Sequence, residues 1–332
     1  MANLSVNKLA LEIVNKVIAN KEILKVTVDK LSNGATLIDF SKGSYGAGKF
    51  LGEICLGGLG KVHFTTYKVD QHYLPAVNVN SSEPIVACMA SQFAGWSVKL
   101  KKEVEKDGEI KKKTVFDSLG SGPARALSRV ETELYEELRY KDEADVAILV
   151  FETAKLPNEE VMEMVASKCG VSPINTYACC APTACLSGSI QVAARIVETG
   201  IHKLHELHFP IEVIKYGFGT TTIAPIAKDD FQAMGTTNDS LIAAGMVYYT
   251  IEAEKDKQEE LWELIKKAPA STSSSYGKPF IETFKEVDYK FYDIDPGLFA
   301  PALYTVNNAK TGKTITTGNL NHDLLKLSYG LS

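Results

Sequence analysis

The chain alternates between segments whose apolar residues are spaced as in helices and segments spaced as in strands. From Leu9 to Ile18 the apolar residues recur at helical spacing, and from Leu24 to Val28 they alternate with polar ones. Residues 145–151 are apolar almost throughout, which is typical of a central strand covered on both faces. Because strand and helix patterns continue to alternate along the chain, the sequence predicts an α/β fold.

The longest helical pattern follows Ser187 and carries two stripes of side chains. Its apolar stripe recurs at three- and four-residue steps and consists of Ile190, Ala194, Val197, Ile201 and Leu204. A polar stripe runs beside it at the same steps and consists of Gln191, Arg195, Glu198, His202 and His205. Polar side chains at the boundary of a buried helix face are well placed to line a cleft.

A highly charged stretch at residues 101–113 has the pattern of a β-hairpin. Alternating apolar residues lead into it from Trp96, and the pair Asp107 and Gly108 near its middle is a strong signal for a tight turn. We therefore expect a protruding hairpin whose charged side chains are solvated.

With 332 residues, the chain has room for about two domains of roughly 100–200 residues each. No linker or internal repeat marks a boundary, so the division is placed where the pattern restarts before the apolar strand. The sequence predicts a first α/β domain over 1–143, which includes the charged hairpin, and a second over 144–332. In this division, the C-terminal part of the second domain can pack back on the first domain.

Composition excludes several classes of function. The formal net charge of −5, from 36 Lys and Arg against 41 Asp and Glu, provides no basic surface for a nucleic acid. No segment reaches the roughly 18–20 uninterrupted apolar residues of a membrane span, so no membrane contact is expected. Six cysteines without a C-x-x-C pair fit a reducing cytoplasm. His202, His205 and His208 lack the neighbours that would complete a ligand set, so no metal site is predicted.

A glycine-rich turn at residues 120–125 is the first candidate for binding chemistry. Gly120, Ser121 and Gly122 precede a predicted helix start, and Arg125 follows within one turn. Backbone N–H groups at such a turn, with an arginine beside them, suit a phosphate or another anion. The spacing matches neither a P-loop nor a dinucleotide fingerprint, and an ordinary strand-to-helix turn is the alternative.

Arg195 and Glu198 are the candidates for catalysis. Three residues apart on one helix, they are able to form an ion pair, which on an exposed face contributes only some tenths of a kcal/mol. In a dry cleft, by contrast, Arg195 would keep Glu198 ionised, and Glu198 would be able to accept a proton from a bound water. Both interpretations remain open on the residues alone.

Eight uncommon sequence strings occur one after another between residues 120 and 301. They are Gly120–Leu127, Ala181–Thr183, Arg195–Gly200, Ile223–Pro225, Ala233–Gly235, Thr237–Asp239, Tyr276–Phe280 and Phe299–Pro301. With these strings, the chain resembles the methenyltetrahydromethanopterin cyclohydrolase family.

The resemblance implies two α/β domains that form a cleft for a pterin, in a homotrimer without a metal or redox cofactor. It implies reversible hydrolysis of 5,10-methenyltetrahydromethanopterin to 5-formyltetrahydromethanopterin, so that the tetrahydromethanopterin carrier is the substrate. The catalytic Arg and Glu of the family fall on Arg195 and Glu198. The hairpin at 101–113 is longer than the resemblance leads us to expect. It is either a solvated insertion or a contact with a neighbouring subunit or a partner protein.

The chemistry of that substrate suggests further contacts. Its anionic tail makes Gly120, Ser121, Gly122 and Arg125 expected anion contacts, with Lys278 as a second cation. Asp239 is expected to accept hydrogen bonds from the aminopyrimidine edge of the pterin. Two other interpretations remain: a non-catalytic protein that binds reduced pterins, and a cyclohydrolase that acts on a folate-type carrier.

Overall fold

A computed structural model of the chain describes residues 4–106, 109–288 and 293–331. In these ranges the strands form two mixed six-stranded sheets with helices packed against them, which confirms the predicted α/β class. The strands, in chain order, are β1 (Thr27–Lys30), β2 (Thr36–Asp39), β3 (Gly60–Val69), β4 (His72–Ser81), β5 (Trp96–Lys106), β6 (Glu109–Ser121), β7 (Ala147–Glu152), β8 (Thr176–Ala181), β9 (Ile214–Thr222), β10 (Met246–Ile251), β11 (Leu303–Asn308) and β12 (Lys313–Gly318).

The two sheets interleave along the chain. The first sheet has the order β1-β2-β8-β7-β6-β5, in which β2, β8 and β7 run parallel and the other neighbours pair antiparallel. The second has the order β12-β11-β10-β9-β4-β3, in which only β10 and β11 run parallel. The predicted boundary between 143 and 144 separates β6 from β7, although these two strands are paired in the first sheet. The β3–β4 hairpin precedes this boundary but belongs to the second sheet. The strands therefore do not divide at that boundary, because the chain crosses between the sheets more than once.

Helices cover these sheets and connect their strands. They are α1 (Val6–Ala19), α2 (Lys21–Leu24), α3 (Tyr45–Cys55), α4 (Ala124–Ser128), α5 (Thr132–Leu138), α6 (Glu159–Cys169), α7 (Leu186–Ala193), α8 (Ile196–Glu206), α9 (Asp230–Ala244), α10 (Gln258–Lys266), α11 (Phe280–Glu286) and α12 (His322–Tyr329), with a π-helical segment at Ile85–Gln92. Within the described ranges, none of them combines the length and the apolar character needed to cross a membrane.

The charged hairpin forms as predicted from two long strands. β5 and β6 pair antiparallel as far as Lys106 opposite Glu109, with an irregularity in register after Leu100. The predicted turn at 107–108 lies outside the described residues. β5 is the edge strand of the first sheet, and Lys102 reaches from it to Glu160 on α6.

The long helical pattern after Ser187 folds as two helices rather than one. Near the end of α7 the backbone tightens, and the N–H of Arg195 bonds to the carbonyl of Val192, three residues back, at 3.0 Å. The new helix α8 then begins at Ile196. Gln191 therefore belongs to α7 and Glu198 to α8, with Arg195 at the junction between them.

Candidate active site

A narrow cleft lies between the first sheet and α7, at the carboxyl ends of the parallel strands β7 and β8. Such ends are the usual location of ligand sites in α/β sheets. The polar side chains that line it are Ser121, Glu152, Thr183, Gln191 and Arg195.

Arg195 and Glu198 form an ion pair at one wall of this cleft. The Nη2 atom of Arg195 lies 3.0 Å from Oε2 of Glu198, and their side chains are 14% and 4% exposed. Arg195 lines the cleft, whereas Glu198 is buried behind it. Of the two interpretations left open by the sequence, the structure shows the pair in a shielded position rather than on an exposed face.

The electrostatic setting keeps the Arg195 guanidinium charged. Burial by itself lowers the pKa of Arg195, but the carboxylates of Glu198 and Glu152 contribute to a net pKa above the ordinary value. His202, one turn beyond Glu198, stacks on Phe93 at 4.8 Å between ring centroids, and burial lowers its pKa. At neutral pH His202 is therefore uncharged, and Arg195 balances the charge of Glu198.

Two glycines on the second sheet hold α8 in position. A Cβ atom at Gly217 would lie 2.7 Å from Cγ1 of Val197, and one at Gly219 would lie 2.9 Å from Cγ2 of Ile196. The hydroxyl of Tyr249 donates a hydrogen bond of 2.8 Å to the carbonyl of Val197. α8 therefore packs closely on β9 and β10, which fixes the backbone that carries Glu198.

The glycine-rich turn is brought to the cleft only in part. Ser121 lines the cleft, and its hydroxyl lies 3.6 Å from Sγ of Cys55. Gly120 is paired opposite Phe151 in the sheet. Gly122 adopts a positive φ of 95°, and its N–H donates to the carbonyl of Ser91 at 2.8 Å. That N–H is thus used inside the fold.

The structure places Arg125 in the interior rather than at an anion site. Its side chain has no exposed surface, and its Nη2 atom lies 2.6 Å from Oε1 of Glu131. Nη1 donates to the carbonyls of Met89 and Ser91 at 3.1 and 3.0 Å, and the guanidinium lies over the ring of Phe93 at 5.1 Å. The anion contact predicted for Arg125 is therefore corrected: the same glycine turn that suits a phosphate here directs the arginine inward.

Asp239 and Lys278 are likewise absent from the residues that line this cleft. Asp239 is buried, where it accepts hydrogen bonds from the N–H of Phe280 at 2.9 Å and from the hydroxyl of Ser328 at 2.6 Å. It thereby ties α9 to α11 and α12 instead of presenting its oxygens to a ligand. Lys278 is partly exposed and forms an ion pair with Glu286.

Asp239 makes the stability of the fold depend on pH. Burial raises its pKa to about 6, above the value of about 4 in the unfolded chain. The protonated form therefore favours the folded state, and this contribution, fully present below pH 4, is lost as the pH rises through 6. Urea unfolding of the parent and of Asp239→Asn is expected to show the parent losing about 3 kcal/mol relative to the variant between pH 4 and 7.

A matched control separates this effect from the titration of other carboxylates. Asp323 is exposed on α12, and the difference between the parent and Asp323→Asn should stay flat, within about 0.5 kcal/mol, over the same pH range. An equally flat difference for Asp239→Asn would contradict the assignment.

Three polar residues of the cleft were not among the binding residues predicted from the sequence: Glu152, Thr183 and Gln191. A signal was present for Glu152, since it is the first charged residue after the apolar run of the central strand β7. Gln191 belongs to the polar stripe, and Thr183 ends one of the recognised strings. None of these signals distinguishes a cleft residue from an ordinary strand end or helix boundary.

The six cysteines are free and buried. Burial raises the pKa of the Cys179 and Cys180 thiols, so they are protonated and pack as small apolar side chains. In the three described ranges, no group of three or more His, Cys, Asp or Glu side chains is arranged to hold a metal ion.

The chain is similar to known proteins over nearly its full length. A model of the family described as cyclohydrolase (MCH) matches residues 5–329. Proteins named methenyltetrahydromethanopterin cyclohydrolase are 46% identical in Methanocaldococcus jannaschii, over 98% of both chains, and 43% identical in Methanococcoides burtonii, over 99% of both chains. The protein of that name from Methanothermobacter marburgensis is 43% identical over 98% of this chain and 99% of its own. With a family model that matches residues 5–329 and relatives 43–46% identical over nearly the full length of both chains, the chain belongs to the cyclohydrolase (MCH) family.

Proposed function

We propose that this protein is a methenyltetrahydromethanopterin cyclohydrolase, which reversibly hydrolyses 5,10-methenyltetrahydromethanopterin to 5-formyltetrahydromethanopterin. Family membership and the names of its relatives support this activity. The observation that carries the proposal is the shielded pair of Arg195 and Glu198, of which Arg195 lines the cleft.

The reaction needs a water molecule, a base and a charged group that orients the base. The methenyl carbon lies between two nitrogens that share a positive charge, so it is already electrophilic. We assign Glu198 as the general base that takes a proton as water bonds to this carbon. When the adduct collapses, the bond to one nitrogen breaks and that nitrogen takes up a proton, while a second proton leaves to solvent.

Arg195 serves this chemistry in two ways. Its guanidinium, 3.0 Å from Glu198, orients the carboxylate. Because Arg195 lies at the cleft wall and Glu198 behind it, the reacting water has to be held where it meets both, and Arg195 can then stabilise charge on the oxygen. Attack of water on the amidinium carbon changes no oxidation state, so we propose no metal or redox cofactor.

We also propose residues that contact the parts of the substrate away from the reacting carbon. Ser121, beside Gly120 and Gly122, is proposed to contact the pterin from the opposite wall, since it lines the cleft. Lys278, which is partly exposed, remains a proposed contact for the anionic tail outside the cleft. We further propose that the protein acts in the cytoplasm as a homotrimer, as the family resemblance implies.

Loss of methenyl absorbance tests the activity directly. Purified protein is added to methenyltetrahydromethanopterin, and methenyltetrahydrofolate is assayed in parallel. Rapid loss with the methanopterin substrate, well above the spontaneous rate, is the expected result. A pterin that binds without turnover would instead indicate a binding protein, and faster turnover of the folate substrate would indicate a different carrier.

A further inference from the structure

A second carboxylate, Glu152, faces the cleft that Arg195 lines. It is the last residue of β7, whose preceding five residues are all buried, and it is paired in register with Ala181 of β8. The strand ladder therefore fixes the backbone of Glu152 while its side chain, which is exposed, projects into the cleft.

The Glu152 carboxylate is also held by its neighbours. The hydroxyl of Thr183, which is buried two residues past the end of β8, donates a hydrogen bond to Oε1 of Glu152. One carboxylate oxygen is thereby oriented, and the other acceptor sites stay available to a ligand. A side chain anchored in this way loses less conformational entropy on binding than a free surface glutamate.

The charges around the cleft do not balance. Glu152 and Glu198 each contribute one negative charge near Arg195, and both contribute to the raised pKa of that arginine. His202 is uncharged at neutral pH, since burial lowers its pKa. Two carboxylates against one guanidinium give this group of side chains a formal net charge of −1.

A net charge of −1 is complementary to a ligand that carries a delocalised positive charge. This inference rests on the function proposed above. The methenyl substrate of that reaction is such a ligand, because its two nitrogens share one positive charge, whereas the formyl product is neutral. We propose that Glu152, anchored by Thr183, is a specificity-determining residue that binds the cationic methenyl form in preference to the neutral formyl form.

Steady-state kinetics of Glu152→Gln in both directions test this role. In hydrolysis, KM for the methenyl substrate is expected to rise about tenfold with kcat within threefold, because the charge is retained into the transition state. In the reverse direction, KM for the formyl compound should stay within twofold while kcat falls about tenfold, since the overall equilibrium is unchanged.

A second variant and a salt series add readouts that a purely structural role would not move. Thr183→Val, which keeps the carboxylate but removes its anchor, should raise KM for the methenyl form about threefold. Raising the ionic strength should increase that KM in the parent more than in Glu152→Gln, because salt screens a charge pair. Glu160→Gln, which removes an exposed carboxylate on α6 outside the cleft, is the matched control and should leave both KM values unchanged.

The outcomes separate this proposal from the proposed activity. If the parent protein does not hydrolyse the methenyl compound, the activity itself fails. If the parent is active and Glu152→Gln leaves KM for the methenyl form within twofold, or raises both KM values equally, selection for the cationic form is overturned while the activity stands.

Discussion

Replacing Glu198 with glutamine is expected to lower kcat for methenyl hydrolysis by about 10²–10⁴-fold, the usual contribution of a general base. Glutamine has nearly the same shape and can still accept a hydrogen bond from Arg195, but it cannot take up a proton from water. Equilibrium binding of the cationic substrate should weaken by no more than about tenfold, because the variant also removes one of the two carboxylates near Arg195, so the loss of turnover should exceed the loss of affinity. Stopped-flow absorbance for turnover and titration for binding measure the two quantities separately.

Glu206 provides the control for this experiment, because it is an exposed carboxylate on the same helix. Glu206→Gln should keep parental kcat and KM. If Glu198→Gln retains kcat within tenfold of the parent, Glu198 is not the base, and the assignment of the catalytic pair fails. A loss of substrate binding in place of turnover would assign Glu198 to recognition.

Replacing Arg125 with methionine is expected to cost about 3–5 kcal/mol of unfolding free energy, the range for breaking a buried ion pair on one side. The change leaves the Glu131 carboxylate without its cation and removes the donors to the Met89 and Ser91 carbonyls. It also removes the guanidinium from the face of Phe93. Urea unfolding followed by tryptophan fluorescence measures the loss.

Two further variants serve as controls for Arg125→Met: one breaks an exposed ion pair, and the other removes both partners of the buried pair. Lys99→Met removes a cross-strand pair with Asp117, both about half exposed, and should cost less than about 1 kcal/mol. Adding Glu131→Leu to Arg125→Met should recover part of the stability, because no buried charge is then left unpaired. A cost for Arg125→Met as small as that for Lys99→Met would contradict the interior role.

Strong local signals explain which parts of the fold were predictable from the sequence. β7 is a run of apolar residues, and five of its six residues are buried, as the pattern indicated. Helix α6 begins after Asn158, whose side chain accepts from the N–H of Val161, and ends at Gly170 in the left-handed conformation. In both elements the local sequence pattern is strong enough to predict the structure that is seen.

Helix α9 shows why other elements are hard to predict from the sequence. It contains Gly235, Thr237 and Ser240, residue types that favour helices weakly. In the structure the hydroxyls of Thr237 and Ser240 donate to carbonyls four residues back, at 2.8 and 2.9 Å, so that polar side chains are satisfied within a buried helix. Burial of the helix, which sequence spacing does not reveal, stabilises it.

The candidate site was predictable only for the side chains whose spacing is itself distinctive. Arg195 and Glu198 lie three residues apart, and the structure pairs them even though the predicted helix breaks at Arg195. Arg125 was placed at the ligand because it follows a glycine-rich turn that suits an anion, and Asp239 because a carboxylate can accept hydrogen bonds from the pterin that the resemblance implies. Whether such a charge faces a cleft or an internal partner depends on long-range packing, here on Glu131 for Arg125.

The interleaved order of the strands determines when each sheet can be completed as the chain leaves the ribosome. The β3–β4 hairpin is synthesised early, but β9, the strand that pairs with β4, follows the last strand of the first sheet. Until β9 emerges, the β4 edge presents unpaired backbone N–H and C=O groups. Pairings between such distant segments slow folding. The nascent chain therefore completes its first sheet while holding a hairpin of the second, and this edge is where a stalled or truncated chain is most prone to wrong association.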